Sequence, residues 1–166
     1  MQTEKENKFL EMIRLHKGLL MKVCSLYATD REEIADLYQD VLLNLWRSFE
    51  GFRGESKLST WIYKVALNTA IMNLRQKIQH PLARQVVPEL PADPIDDSAE
   101  DFRILHAAIR ELPEMDRAII LLYLEELSGT EISRITGFSE VNIRVRVSRI
   151  KSKLKELLLR QGYQIN

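Results

Sequence analysis

Apolar residues recur three and four positions apart along most of this chain, and each run of the repeat predicts an amphipathic helix. Phe9, Ile13, His16, Leu20, Val23 and Tyr27 form the first run, read as one helix of about five turns that tolerates Gly18 inside it. Ile34, Leu37, Val41 and Leu45 form the second, with Asp30 as N-cap, Glu32 and Glu33 set against the helix dipole, and an end near Phe49. Gly51 and Gly54 punctuate the break that follows. Ser59 or Thr60 then caps a third helix reaching Gln79, with Leu58, Ile62, Val65, Thr69 and Met72 facing inward. Pro81, Pro88, Pro91 and Pro94 argue against any regular element across residues 81–100. Beyond them, Ser98 or Asp101 caps a helix through Ile104, Leu105, Ala108 and Ile109. Leu112-Pro113 breaks it, and Pro113 opens another helix through Ile119, Ile120 and Tyr123. The pattern predicts an all-α chain of two small helical domains, residues 1–80 and 101–166, joined by a flexible linker over residues 81–100.

Residues 127–155 carry the most specific pattern: a short helix around Ile132 and Ile135, a tight turn, and a second helix that ends in a basic run. Gly137 supplies the positive φ that the corner of a helix-turn-helix needs, Phe138 can plug that corner, and Ser139 caps the next helix. Ile143, Val147, Ile150, Leu154 and Leu157 share one face of that helix. Asn142, Val145, Arg146, Arg149 and Lys153 lie away from it. Ile143, Val145 and Val147 also fit the alternation of a strand, but Ser148-Arg149-Ile150 breaks it while the helical face runs on to Leu157. From Asn142 to Lys155 the bases are Arg144, Arg146, Arg149, Lys151, Lys153 and Lys155, with no acid among them. Such a face is suited to a DNA major groove, where arginine bonds guanine bidentately and Val145 could meet a thymine methyl.

The chain has 166 residues and a net charge of zero, which at first disfavours a DNA partner. The balance hides an asymmetry: residues 81–100 hold one arginine against five acids, leaving both ends mildly basic. Cys24 is the single cysteine, so no disulfide forms within the chain and no cysteine zinc cluster exists; it is expected in the core. The polar N-terminus lacks an apolar signal region and no apolar run is long enough to span a bilayer, so a cytoplasmic protein is expected. No phosphate loop, metal set or nucleophile constellation is evident.

Two further surfaces keep two readings each. Asp36, Gln39, Asp40, Leu43 and Trp46 sit off the inner face of the second helix, as a solvated face or as a protein-docking face with Trp46 as anchor. Residues 57–80 carry Lys57, Lys64, Arg75 and Lys77 and no acid, with Phe52, Trp61, Tyr63 and Asn68 among or beside them. Rings among bases suit single-stranded nucleic acid, or the rings are simply core.

Both halves resemble one family, the extracytoplasmic-function (ECF) sigma factors of bacterial RNA polymerase, in the sigma-70 family. Asp36-Leu-Tyr-Gln39-Asp40-Val41, Phe52-Arg-Gly-Glu-Ser and Ser59-Thr-Trp61-Ile-Tyr-Lys-Val-Ala-Leu-Asn68 are similar to the sigma-2 domain. Leu112-Pro113, Arg117, Glu131-Ile132, Gly137-Phe-Ser139, Arg146-Val-Ser-Arg149 and Lys153-Leu154 are similar to sigma-4. The resemblance implies a dissociable subunit that binds core RNA polymerase and directs promoter-specific initiation. Asp36, Gln39, Asp40, Leu43 and Trp46 would dock on the β′ coiled coil. Phe52, Arg53, Gly54, Glu55, Ser56, Trp61, Lys64 and Asn68 would capture unpaired bases of the −10 element. Ser139, Asn142, Arg144, Val145, Arg146, Arg149 and Lys153 would read the −35 element as duplex, and the acidic linker would thread the polymerase cleft. It also implies an anti-sigma partner and no catalysis, cofactor, small-molecule substrate or membrane insertion of the chain itself. The family often carries alanine where this chain has Ser133, a change expected to matter little, and often an acid near Met72. A stand-alone helix-turn-helix regulator would leave the Trp61–Asn68 cluster and the docking face without a role. A nucleic-acid enzyme would need carboxylates or a metal set near the basic helix.

Overall fold

The structure, a computed structural model, describes residues 3–79 and 97–163. It divides into two compact units, Met1–Val86 and Val87–Asn166. The described residues form α-helices and one 3-10 turn, with no strand among them. In the first unit these are α1 (Glu4–Leu15), α2 (Lys17–Tyr27), α3 (Arg31–Ser48), the 3-10 turn Phe49–Gly51 and α4 (Leu58–Gln79). The second holds α5 (Asp97–Arg110), α6 (Glu114–Leu124), α7 (Gly129–Thr136) and α8 (Glu140–Arg160). Residues 97–100, expected in the linker, are thus helical, and Ser98 and Asp101 lie inside α5 rather than capping it. Residues 80–96, the rest of the expected linker, lie outside the described residues.

The first apolar run is two helices, not one. The chain leaves helical geometry at His16 alone (φ −111°, ψ 16°) and resumes at Lys17. His16 Nδ1 lies 2.8 Å from the Met12 carbonyl, and the Leu20 N–H donates to the His16 carbonyl, so the repeat carries across the bend. Thr3 starts α1 with a capping box through Glu6, and Asp30 caps α3 by accepting from the Glu33 N–H at 2.8 Å. Leu20, Val23, Cys24, Val41, Leu45, Ile62 and Ala66 form the centre of the core, and each large side chain there stabilises by about 1.5–3 kcal/mol. Burial pushes the Cys24 thiol up to about 12.

Helix α4 is turned relative to the sequence expectation. It packs against both α2 and α3, burying Ile62, Tyr63, Ala66, Leu67, Thr69, Ala70 and Ile71 while Met72 is 59% exposed. Two alanines four residues apart let neighbouring backbones approach, so the inner face is marked by small side chains as much as by large ones. Nor do Ser59 and Thr60 precede the helix: it begins at Leu58, and Thr60 is buried in its first turn. A polar seam joins α3 to α4. Asn44 Nδ2 donates to Thr69 Oγ1 at 2.9 Å, and Asn73 Nδ2 donates to Asp40 Oδ2 at 2.8 Å.

In the second unit α8 packs against α5, α6 and α7. Ile143, Val147, Ile150, Leu154 and Leu157 are all buried, as the repeat requires, against Ala108, Ile119, Leu122, Ile132 and other core residues. Tyr123, placed with Ile119 and Ile120 by spacing, instead lies outside the core. Its hydroxyl accepts from Lys151 Nζ at 2.6 Å, and the ammonium sits 4.4 Å from the ring centroid.

Candidate nucleic-acid and docking surfaces

The α7–α8 corner is built from short-range bonds. Ser128 and Glu131 form a capping box at the start of α7, and Gly137 ends it in the left-handed region at φ 82°. Ser139 Oγ then accepts from the Asn142 N–H at 3.2 Å and starts α8. Ser133 Oγ donates to the Phe138 carbonyl at 2.6 Å, and Thr130 donates to Glu140, so the hydroxyls of α7 fasten the turn and the head of the next helix. Phe138 is half-buried at the corner.

On the outer side of α8, Asn142, Arg144, Val145, Arg149 and Lys153 are exposed, Val145 at 44%. Ser139, just ahead of the helix, is exposed as well. Arg146 differs. It is half-buried, with its guanidinium carbon 4.1 Å from the Phe138 ring centroid and Nη1 3.4 Å from Asp116 Oδ1. Its Nε donates to Asn142 Oδ1 at 3.2 Å. The structure adds Ser148 and Ser152 to the exposed face. Their wheel positions beside Arg144, Val145 and Arg149 carry that signal in the sequence. Between Val141 and Lys155 the helix carries no acid, so its outer face offers cations and donors for about three and a half turns.

A second stripe runs along α4. Lys64, Asn68, Met72 and Arg75 are exposed on one face, with Trp61 and Val65 half-buried at its edge. Phe52 lies against Trp61, ring centroids 5.1 Å apart and planes tilted by 36°. Arg53, Gly54 and Glu55 are exposed in the turn ahead, Gly54 at φ 72°, and Ser56 is half-buried. The structure therefore brings Phe52, Trp61, Lys64 and Asn68 to one side of the first unit. Tyr63, named among the same rings, is core.

On α3, Asp36, Gln39, Asp40 and Leu43 are exposed on one stripe, and Leu43 is 45% exposed. Trp46 is half-buried and already engaged: Phe9 meets it edge-on at 5.0 Å, and Lys5 Nζ lies 4.3 Å from its ring centroid. Among the described residues no group of three or more histidines, cysteines, aspartates or glutamates could hold a metal ion, and no helix is long and apolar enough to cross a membrane.

These surfaces coincide with two known protein regions. A family model described as Sigma-70 region 2 matches residues 12–78, and one described as Sigma-70, region 4 matches residues 102–154. The ECF RNA polymerase sigma-E factor of Haemophilus influenzae is 32% identical over 161 residues, covering 85% of this chain and 82% of that protein. The ECF RNA polymerase sigma factor SigG of Mycobacterium tuberculosis is 26% identical over 92% of this chain, which spans only 49% of that relative's length. Among solved structures, the sigma factor RpoE in complex with the anti-sigma factor NepR from Bartonella quintana superposes with a TM-score of 0.73 at 24% identity, covering 91% of this chain and 96% of that one. CnrH in complex with the cytosolic domain of CnrY gives 0.66 at 18% identity, covering 90% and 86%. Matched family regions in both units and a relative aligned along most of both chains identify this chain as a member of the ECF sigma factors of the sigma-70 family.

Proposed function

We propose that this chain is a dissociable sigma subunit that binds core RNA polymerase and directs transcription initiation at particular promoters. The observation that carries the reading is the outer face of α8, free of acids from Val141 to Lys155 and held at the corner of a capped helix-turn-helix. In that arrangement Asn142, Arg144, Val145 and Arg149 meet base edges of a duplex −35 element. Ser139 and Lys153 meet its backbone, and Arg146 forms the inner edge of the same face. Phe52, Trp61, Lys64 and Asn68, with Arg53, Gly54, Glu55 and Ser56 in the turn ahead, capture unpaired bases of the −10 element. Extruding a base costs a few kcal/mol, which stacking and pocket contacts offset. The stripe of Asp36, Gln39, Asp40 and Leu43, bordered by Trp46, docks on the coiled coil of the polymerase β′ subunit.

Two modest readers on one enzyme gain affinity through effective concentration, so neither domain needs to bind tightly alone. The chain itself catalyses nothing in this scheme and takes no cofactor. RpoE and CnrH were each solved in complex with a partner, NepR being named an anti-sigma factor; an anti-sigma protein that holds this chain inactive is part of the proposal.

The test is gel filtration of the purified chain with sigma-free core polymerase, followed by transcription from a genomic fragment library. Co-elution with new, discrete transcripts is the expected result. A chain that ignores core polymerase yet grips a specific duplex alone would be a stand-alone regulator, and the docking role of α3 would fall.

A further inference from the structure

Three carboxylates that meet another element of the fold are met there by a cation. Lys77 of α4 lies 3.8 Å from Glu33 of α3, Lys5 of α1 lies 2.7 Å from Glu50, and Arg146 of α8 lies 3.4 Å from Asp116 of α6. Asp40 differs. Its partner across the α3–α4 seam is a neutral amide, with Asn73 Nδ2 donating to Oδ2 at 2.8 Å, and among the described residues no cation pairs with it. A carboxylate only accepts, so the amide nitrogen must be the atom that faces it; Oδ1 and the remaining lone pair of Oδ2 stay open. Asp40 is exposed and Asn73 half-buried, so the bond ties a surface carboxylate to a side chain seated at the seam. One turn along, Asn44 donates to Thr69 at 2.9 Å and holds the two helices in register at this point.

We infer that Asn73 is a positioning residue for docking: it fixes the Asp40 carboxylate in one orientation without neutralising it, so the charge stays available to a cationic side chain of core polymerase. The inference rests on the docking of α3 proposed above and adds a residue of α4 to it. An exposed aspartate turns about two side-chain bonds, and a partner that needs one orientation must restrict them on binding. Holding the carboxylate beforehand removes that restriction, which is worth about fivefold in affinity. A lysine in place of Asn73 would also hold the group but would cancel its charge, and a neutralised pair attracts an incoming cation less. An amide supplies orientation alone.

The experiment titrates the full chain, carrying a fluorescent label, with sigma-free core polymerase, and follows each variant by thermal melting in parallel. Asn73→Ala should bind core about fivefold more weakly. In an Asp40→Ala background the same change should have no further effect, because the carboxylate through which Asn73 acts is gone. Asn73→Lys should lose about tenfold while its melting midpoint stays level or rises, since the new ion pair helps the fold and removes the charge from the surface. At saturating chain, Asn73→Ala should direct transcription from the same promoters as the parent.

An Asn73→Ala loss of equal size with and without Asp40 would overturn the inference, because Asn73 would then act on polymerase or on the fold directly. Full core affinity in Asn73→Lys would overturn it too, as would affinities that simply track the melting midpoints. A changed set of promoters at saturation would make Asn73 a DNA contact instead. Unaltered binding by Asp40→Ala would bring down the docking role of α3 and this inference with it, whereas a parent chain that ignores core polymerase would bring down the sigma-subunit reading itself.

Discussion

Replacing Gly137 by alanine separates backbone strain from crowding at the corner of the helix-turn-helix. Gly137 has φ 82°, and a Cβ built on it meets no atom within 4 Å, so no neighbour has to move. What remains is the left-handed backbone, which costs an L-residue about 1–2 kcal/mol. Alanine's smaller freedom in the unfolded chain offsets about 0.5 kcal/mol of this, for a net loss of about 1 kcal/mol. In a domain of this size that lowers the melting midpoint by about 5 °C. Asparagine, which visits the left-handed region more readily, should lose about half as much. Gly129 is the control. It opens α7 with equally open space around its Cβ and no positive φ, so Gly129→Ala should gain a few tenths of a kcal/mol, about 0.3. Urea titration followed by far-ultraviolet circular dichroism measures each change. Trp46 and Trp61 both belong to the first unit, so loss of ellipticity without a change in tryptophan emission reports on the second. A Gly137→Ala variant as stable as the parent, or one matched by Gly137→Asn, would refute the strain argument.

Asp40→Arg reverses a charge on the α3 stripe proposed to dock and gives up one bond to Asn73; core polymerase affinity should fall at least about tenfold with little change in melting, and unchanged co-elution would remove α3 from the interface. Leu43 and Leu45 differ by two positions and by face, at 45% and 0% exposure. Leu45→Ala should cost about 2–5 kcal/mol by denaturant titration, whereas Leu43→Ala should leave stability within about 0.5 kcal/mol and weaken polymerase binding. The buried Cys24 thiol should resist a disulfide reagent at neutral pH until the chain is unfolded. Above the ordinary thiol value of 9.0 the unfolded chain loses its proton while the folded one keeps it, so stability should fall as pH climbs from there towards about 12. Ser133→Ala should cost about 1 kcal/mol in a thermal melt, because it leaves the Phe138 carbonyl without that donor.

The readability of the sequence followed the physics of each helix. In α8 the buried face is a single stripe of large aliphatic side chains, so spacing alone found all five of its inner positions. α4 is covered by both α2 and α3 and buries the small side chains of Ala66 and Ala70, so the spacing of large apolar residues placed Met72 inside although it is mostly exposed. The bend at His16 was invisible because the helical repeat survives a one-residue break. On the candidate surfaces, Asn142, Val145, Arg149 and Lys153 were placed outward by the wheel and are exposed. The engagement of Arg146 could not be read, since Asp116 lies thirty positions away in sequence. Trp46 kept two readings for a similar reason: Phe9 and Lys5, which cover it, come from another helix.

The caps described above also bear on how quickly the chain reaches this structure. Thr3 with Glu6, Asp30 with Glu33, Ser128 with Glu131 and Ser139 with Asn142 each fix a helix start within three residues. Each unit then closes by bringing its last helix onto earlier helices of the same unit, α4 onto α2 and α3 and α8 onto α5, α6 and α7, while most residue pairs in contact stay local in sequence, so modest chain entropy is spent on joining distant segments. Helical units with such local contacts fold in microseconds to milliseconds. Synthesis adds residues far more slowly, at about 5–20 per second, so the α3 and α4 stripes of the first unit can be complete before the helix-turn-helix has left the ribosome.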